Sequence, residues 1–485
     1  MPSLKFAIKL LVLLALFSQN LAGLQNMECT DDQQCRDAYT SHYHCSGDRI
    51  CYYSPVSFSL LEVAGLLTMI AVVTLSNSGA VGAGITIMPI IMVFLEFVVG
   101  DAIAYARLTI LTGSFVTFVI SGFKRSTTDP NKFWTSYSLA AVMGPLLLAG
   151  SMIGVMIGNW LPGISIGGIL AVYLVVSLIQ CFIRAKEEQA TEKKKREDTQ
   201  ALDDDLGQIV SPSNVYLPLH DRPKDDKNIA TSFESDRHLA MISRTIVTPD
   251  VKSMCAMLVE HLPNFLLIIL AMAVFTLITL LRGGNAFRSI IGIPECQTDS
   301  YLILIEGQFL FYGLALLGYM YNAKSFSPED VGILPDTPIP PSSHHAVRSA
   351  ILVSSFVIGI LSGILGVGGG LVISLYMLNK GLNVQSTASL SIFIVLISSG
   401  STCLQYYVLG LLRFEYCHYF IAVALIGAFL GNVIFRPWII RTNRNSITVW
   451  MLFVVLLAAS IIMPADLIRR AFLNSKGALS FGRFC

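Results

Sequence analysis

Apolar segments long enough to cross a lipid bilayer follow one another along most of this 485-residue chain. A membrane-spanning helix needs about 20 apolar residues. Charged residues make up only 13% of the chain, about half of their share in a soluble domain. These features predict an all-α polytopic membrane protein with about 10–12 transmembrane helices. The candidate spans lie at 58–76, 79–99, 102–121, 135–160, 164–184, 261–281, 300–321, 347–367, 369–378, 386–409, 414–435 and 446–463, and the ninth of them is short and rich in glycine.

Charged residues are concentrated in one stretch of the chain. Residues 185–252 carry 25 of the 65 charged side chains. The stretch is acidic in its second part and contains several prolines, which predicts a largely disordered cytoplasmic loop, 185–260, that a cytoplasmic protein partner could bind. The loops at 123–134 and 436–445 are basic, and the positive-inside rule places them in the cytoplasm too. The net charge of +1 gives no indication of nucleic-acid binding.

The first 23 residues have the three parts of a secretory signal peptide. Lys5 and Lys9 precede a short apolar run, and the small residues Ala22 and Gly23 follow it. The run is shorter than a span requires, and an uncleaved anchor helix is the alternative interpretation. A signal peptide predicts a multi-pass protein of the secretory pathway, in the plasma membrane or another endomembrane.

Four cysteines follow within a polar segment, 24–57, that is predicted to lie in the lumen. An even number of cysteines in a short polar segment after a signal peptide predicts two disulfides, for which three pairings are open. A zinc site that also uses a nearby histidine is the alternative, but the spacing is not that of C-x2-C pairs. The four are Cys29, Cys35, Cys45 and Cys51.

Two regions of the chain, 58–184 and 347–463, resemble each other. Seven spans separate the starts of the two copies, so we expect them to lie in opposite orientations. Inverted repeats are typical of secondary transporters, which hold the substrate near the middle of the membrane between the copies. The three matches, in the same order in both copies, pair 82–89 with 368–375, 106–109 with 388–391, and 150–154 with 427–431.

Glycines interrupt an apolar segment at corresponding places in the two copies. Such glycines weaken a helix, and the break exposes the N–H groups and the positive dipole end of the following half-helix, which suit an anion. Close packing of helices through small residues is the alternative, and it explains the glycines of 150–158 and 427–431 better. No cluster completes a nucleotide-binding motif, so nothing in the chain supports ATP-driven transport. The break residues are Gly82, Gly84 and Pro89 in the first copy and Gly366, Gly368, Gly369 and Gly370 in the second.

The second break carries a specific resemblance. The pattern Gly366-x-Gly368-Gly369-Gly370, followed by Thr387-Ala388-Ser389-Leu390, resembles the signature of the TauE/SafE sulfite exporter family, and the first copy is a weaker version of it. The resemblance covers both repeats but neither the cysteine segment nor the long loop. It implies a carrier of small anions such as sulfite or organosulfonates, working in the export direction without a bound cofactor.

Three polar side chains within the spans are candidates for binding such an anion. Arg107 would cost at least about 2.5–3.5 kcal/mol in a bilayer unless it faces a partner or a cavity. It could be the fixed cation for an oxyanion, but a pair with Glu96 or Asp101, or a side chain that reaches the lumenal surface, is equally compatible with the sequence. Thr387 and Ser389 offer hydroxyl donors, although hydroxyls in spans usually bond to their own helix.

These features predict a secondary transporter of small sulfur-containing anions that works by alternating access around the paired glycine breaks. A membrane receptor or scaffold that uses the lumenal cysteine segment and the cytoplasmic loop is the alternative. An enzyme is not expected, since the chain has no H-E-x-x-H zinc motif. The predicted organisation is a signal peptide (1–23), the lumenal segment (24–57), repeat one (58–184), the polar loop (185–260), linking spans and a cytoplasmic linker (261–346), repeat two (347–463) and a tail (464–485).

Overall fold

The structure is a computed structural model in which helices form almost all of the regular structure. It describes residues 29–38, 43–45, 51–53, 59–78, 84–122, 135–209, 262–283, 289–290, 298–322, 344–379, 384–412, 414–438 and 445–473. The elements, in chain order, are α1 (Asp32–Ala38), β1 (Tyr43–Cys45), β2 (Cys51–Tyr53), α2 (Leu60–Ser78), α3 (Gly84–Phe94), α4 (Val99–Ser121), α5 (Tyr137–Trp160), α6 (Gly163–Ile209), α7 (Leu262–Arg282), α8 (Thr298–Asn322), α9 (His344–Leu365), α10 (Gly370–Asn379), α11 (Val384–Val408), α12 (Phe414–Phe429, continued by a π-helical turn over Leu430–Phe435) and α13 (Asn445–Leu473).

Seven helices of the described chain are long and apolar enough to cross a membrane, namely α2, α4, α5, α6, α7, α11 and α12 with its π-helical turn. In α8, α9 and α13 the described apolar stretches are shorter, although each of these helices exceeds 20 residues. The prediction of an all-α, multi-pass membrane protein is confirmed. The predicted signal peptide, most of the polar loop and the end of the tail lie outside the described residues.

Two helices are too short to cross a bilayer. Helix α10 has 10 residues, as expected for the short segment at 369–378. Helix α3 has 11 residues and therefore fills only part of the span expected at 79–99. The chain leaves the helix after Phe94, and Glu96 has a positive φ of 53° before α4 begins at Val99.

The N-terminal cysteines join α1 to the β1–β2 hairpin. Disulfides link Cys29 to Cys45 and Cys35 to Cys51, which selects one of the three pairings that the sequence left open. The Asp32 carboxylate accepts a hydrogen bond from the main-chain N–H of Cys45 at 2.8 Å, so it also fixes the hairpin to the helix. The prediction of two disulfides is thus confirmed.

Glycines on α5 bring this helix into main-chain contact with α9. A Cβ atom on Gly150 would collide with the carbonyl oxygen of Phe356, and one on Gly154 with the carbonyl oxygen of Ile360. A step of four residues along α5 therefore corresponds to a step of four residues in the same direction along α9, so the two helices run parallel. The expectation of close packing through small residues is confirmed here.

Helix α12 contacts α2 in the same manner. A Cβ atom on Gly427 would lie 3.0 Å from the Ile70 carbonyl oxygen, and one on Gly431 would lie 2.5 Å from that of Thr74. Here too the contacts advance in the same direction, so α12 and α2 are parallel.

Helices α2 and α4 also run parallel to each other. Val73 of α2 lies against Gly113 of α4, and one turn further along Thr117 donates a hydrogen bond to Asn77 Oδ1 at 2.8 Å. Because both helices point the same way, the connection through α3 must return across the full length of α2.

Helix α5 then runs back along the direction of α4. The Tyr137 hydroxyl at the start of α5 donates a hydrogen bond to the Gly122 carbonyl at the end of α4, at 2.8 Å. A Cβ on Gly366, just after α9, would approach Ile103 of α4, while Ser362, four residues earlier, bonds to Arg107, so α9 runs antiparallel to α4. Helix α9 and the parallel α5 therefore point opposite to α2.

Helix α6 continues well beyond membrane length. Its 47 residues extend about 70 Å, so residues 185–209, about the first third of the loop predicted to be largely disordered, are helical. The Glu192 carboxylate in this extension accepts hydrogen bonds from the Ser446 N–H at 2.7 Å and the Ser446 hydroxyl at 2.6 Å. These bonds attach the extension to the first turn of α13.

Candidate functional site

Arg107 lies in the interior of the protein, with none of its surface exposed. Its Nη2 donates a hydrogen bond to Ser362 Oγ of α9 at 2.9 Å. Its Nε and Nη1 are buried and have no hydrogen-bond partner within the described chain. Ser362 lies 255 positions further along the chain, so this bond joins the first membrane half to the second.

The other interpretations of Arg107 do not fit this geometry. A guanidinium with no exposed surface does not reach the lumenal face. Among the described residues, the Arg107 side chain makes no ion pair with Glu96, Asp101 or another carboxylate. A buried cation without a counter-charge is unfavourable by several kcal/mol, so the position favours a site that an anion completes.

A short chain of hydroxyl groups extends from Arg107. Ser362 Oγ lies 3.3 Å from Ser398 Oγ of α11, within hydrogen-bond distance. The Tyr406 hydroxyl, also on α11, donates to the Gly363 carbonyl at 3.1 Å. Helices α4, α9 and α11 therefore meet around the guanidinium.

The second glycine cluster forms the turn between α9 and α10. Gly366, Gly368 and Gly369 have φ values of 68°, 73° and 64°, which residues with a Cβ rarely adopt. Helix α9 ends at Leu365, and α10 begins at Gly370. A Cβ on Gly369 would lie 3.4 Å from Ser362 Oγ, so this turn borders the serine that binds Arg107.

The predicted hydroxyl donors lie at the start of α11. Thr387 and Ser389 are both buried, and Thr387 Oγ1 has no partner within the described chain. Ser391, one turn after Thr387, donates its proton to the Gly370 carbonyl at 2.8 Å and so fixes α11 to the glycine turn.

The first glycine cluster is described only in part. Gly84 is the first residue of α3, Pro89 lies inside that helix, and Gly82 lies outside the described residues. The first cluster, like the second, comes between a long helix and a short one of 10–11 residues.

A cavity of about 30 Å³ lies beside the second glycine turn. A Cβ on Gly368 would lie 3.3 Å from Ile110 Cγ2, and one on Gly370 would lie 3.0 Å from Ser391 Oγ; both Ile110 and Ser391 line the cavity. Arg107 does not belong to its wall. The glycine turn thus borders the cavity on one side and Ser362, the partner of Arg107, on the other.

Sequence reasoning missed several groups at this centre. Ser362 bonds to Arg107, Ser398 and Tyr406 bond to Ser362 and Gly363 beside it, and Ser76 and Asn77 line the cavity. Polar residues within an apolar span are the signal that could have found them. The run from Ser398 to Thr402 is especially clear, since four of its five residues carry a hydroxyl.

One sequence pattern of hydrolases is present but has the wrong context. Residues 163–167 read Gly-Ile-Ser-Ile-Gly, which matches G-x-S-x-G. In hydrolases this pattern follows a strand and forms a sharp turn before a helix. Here the pattern forms the first turn of α6, and only two residues separate it from helix α5. Because no strand precedes it, the pattern does not indicate a nucleophilic serine.

The family model and the curated proteins that this chain resembles carry the same family description. The model of the family "Sulfite exporter TauE/SafE" matches residues 254–463. Sulfite exporter TauE/SafE family protein 5 of Arabidopsis thaliana is 24% identical over 411 residues, covering 84% of this chain and 83% of its own. Family proteins 2 and 6 of the same plant are 24% and 25% identical, over 83% and 84% of this chain and 82% and 81% of theirs. No solved structure matches the chain significantly.

Proposed function

This chain belongs to the TauE/SafE sulfite exporter family, and from that premise we propose that it carries small sulfur-containing anions, such as sulfite or organosulfonates, by alternating access. The description of the family supports a membrane transporter of the sulfite-exporter type rather than an enzyme. The proposed export direction rests on that description alone.

The buried, unpaired guanidinium of Arg107 is the observation that carries the proposal. It offers one positive charge and two nitrogens, Nε and Nη1, that have no hydrogen-bond partner among the described residues and lie away from water. Charge-assisted hydrogen bonds from arginine to an oxyanion are among the strongest that proteins make. A sulfonate or sulfite oxygen would therefore take the place that a carboxylate occupies at most buried arginines.

The glycine turn supplies the second part of the proposed site. Residues 366–369 leave the helix next to Ser362, and α10 starts immediately afterwards. The first N–H groups of a helix have no partner within the helix, and the dipole favours an anion at this end. Thr387 and Ser389 lie two to three turns before Ser398 on α11, about 13–17 Å along the helix axis, so we assign them to the path of the anion beside the turn and not to direct contact with Arg107.

Helix directions support an inverted repeat, in which α2–α6 correspond to α9–α13. In this correspondence α5 matches α12 and α9 matches α2, so the α5–α9 contact should recur as a contact between α12 and α2. Both contacts are present, both are parallel, and both are made through glycines. Helix α9 points opposite to α2, as an inverted copy requires. Transporters of this construction alternate access by moving one repeat against the other around a central site.

The N-terminal disulfides support a secretory-pathway location. Disulfides persist in oxidising compartments and are rare in the cytosol. We therefore place the cysteine module in the lumen or outside the cell, after a cleaved signal peptide.

Uptake of radiolabelled sulfite, taurine and sulfate into proteoliposomes tests the proposal. We expect sulfite or taurine to enter, and Arg107→Gln to lower the rate by about 100-fold because the anion loses its only fixed charge, worth about 3 kcal/mol. Arg107→Lys should retain part of the activity, since the charge remains without the planar geometry. If none of these anions enters, or if Arg107→Gln carries them as well as the original protein, the proposal is wrong.

A further inference from the structure

The cavity beside the glycine turn is bounded by three helices from both membrane halves. Its volume is about 30 Å³, enough for one or two water-sized species. Five of its lining residues carry side-chain oxygen atoms, and the others are glycine or apolar. The oxygen-bearing residues are Ser76 and Asn77 of α2, Thr109 and Ser114 of α4, and Ser391 of α11.

Three of the four hydroxyl protons in this lining, all but that of Ser76, already have acceptors. Thr109 donates its proton to the Tyr105 carbonyl at 2.9 Å, and Ser114 donates to the Leu111 carbonyl at 3.0 Å. Ser391 donates to Gly370, as described above. Each of these oxygens can offer the cavity only lone pairs, because a hydroxyl has a single proton to donate.

Asn77 also has its amide committed. Its Nδ2 donates to the Val73 carbonyl at 2.8 Å. Its Oδ1 accepts from Thr117 and retains a second acceptor site. The cavity is therefore rich in acceptors and poor in donors, which is the opposite of what an anion needs.

Ser76 provides an independent sign of a missing ligand. Only 2% of its surface is exposed, and its hydroxyl has no hydrogen-bond partner within the described chain. Buried polar groups in folded proteins nearly always have a partner. Because Ser76 lines the cavity, a species bound there would provide the partner that its hydroxyl lacks.

We propose that this cavity binds a monovalent alkali-metal cation, for which sodium is the probe. Hard cations take neutral and anionic oxygen ligands, and divalent ions in proteins usually recruit carboxylates. No charged side chain lines the cavity within the described chain, so a single positive charge on the ligand fits best. A small cation also fits the volume after it has lost its water shell.

The position of the cavity gives the cation a role in transport, a point that rests on the proposed function. Ser391 links the cavity to Gly370, and the glycine turn continues to Ser362 and Arg107. A cation bound here would fix α4, α11 and the glycine turn together, and so stabilise the arrangement that holds the anion. Anion transport is then coupled to sodium.

Binding of radioactive sodium to the purified protein in nanodiscs tests the site. Thr109→Val removes one oxygen ligand while it keeps the shape of the side chain, and we expect sodium affinity to fall about tenfold or more. Thr112→Val is the matched control, because Thr112 lies on the same helix and donates to its own helix at 3.0 Å but does not line the cavity. The control should bind sodium within about twofold of the original protein.

Anion uptake in sodium chloride and in choline chloride separates this inference from the proposed function. Faster sulfite or taurine uptake in sodium, with the sodium dependence weakened by Thr109→Val alone, supports the site. Equal uptake in both salts, absence of saturable sodium binding, or equal sodium affinity in the two variants would overturn the cation site and leave the anion transporter intact. Saturable sodium binding without uptake of any anion would support the cavity and contradict the transport function.

Discussion

The contacts α5–α9 and α12–α2 are built alike, whereas the central helices α4 and α11 differ at corresponding positions. In both contacts, two glycines four residues apart admit the main chain of the neighbouring helix. On the proposed repeat, Arg107 of α4 corresponds to Ser389 of α11, and Thr109 corresponds to Ser391. On this proposal the scaffold is repeated, but of these corresponding positions on α4 and α11 only Arg107 is charged.

This difference separates the requirements of packing from those of binding. Helix association in a membrane depends on close contact between small residues, so both halves need the same glycines. A single small anion needs one cation, and a second buried arginine without a counter-ion would be unfavourable by several kcal/mol. Two copies of a scaffold therefore suffice for one asymmetric site.

The largest expected effect tests the likeness of the two helix contacts. Gly154→Leu and Gly431→Leu should each prevent stable folding, because the new side chain meets main-chain atoms of the facing helix and the helices must separate. The destabilisation should exceed about 3 kcal/mol. Size-exclusion chromatography of the detergent-solubilised protein should show loss of the monodisperse peak.

Gly168→Leu is the control for this pair of variants. A Cβ on Gly168 would meet nothing within 4 Å, so this variant should elute as the original protein does. If only one of the two glycine variants is destabilised, the two contacts are not equivalent and the repeat loses its main support.

An intermediate effect is expected at the glycine turn. Gly369→Ala places a Cβ at a φ of 64° and 3.2 Å from Ile358 Cγ2, which should cost about 1–2 kcal/mol. Because the turn borders the proposed anion site, we expect anion uptake to fall about tenfold while the protein still folds. Uptake into proteoliposomes and the thermal unfolding temperature together measure this effect.

Gly400→Ala serves as the comparison within α11, where the added Cβ would make ordinary contacts at 3.7 Å. This variant should transport at the normal rate. Equal uptake by the two variants would mean that the glycine turn has no part in transport.

The smallest effect on transport is expected in the N-terminal module. Replacing Cys29 and Cys45 together by serine removes a disulfide between residues 16 positions apart, which should destabilise the module by about 3 kcal/mol. Limited proteolysis should then cleave residues 29–53 more rapidly, while sulfite uptake remains unchanged. A large loss of uptake in this variant would instead favour a receptor-like role for the module.

Many features of the fold could be predicted because they depend on local sequence. A run of about 20 apolar residues specifies a span wherever it occurs, and the expected α5 and α9 lie within three residues of their observed bounds. The span expected at 79–99 was predicted less well. Its composition is apolar throughout, but the helix ends at Phe94, and no local pattern indicated the positive φ at Glu96.

The candidate site was predictable only in part. Arg107 was conspicuous as a charge within a span, yet its interpretation stayed open among an anion site, an ion pair and a surface position. The bond to Ser362, and the lack of a carboxylate partner in the part of the chain that the structure describes, favour the anion site. The cavity lined by hydrogen-bond acceptors could not be predicted, because a sequence does not indicate to which acceptor each hydroxyl donates its proton.

The sequence by itself determined that the chain crosses a membrane, where most spans lie, which glycines recur and that four N-terminal cysteines form two disulfides. These properties follow from the length, polarity and flexibility of neighbouring residues. The tertiary structure decided the disulfide pairing, the parallel glycine contacts and the meeting of Arg107 with a serine 255 positions away. Hydrogen bonds and close contacts depend on distances between segments remote in sequence, and only the packed helices set those distances.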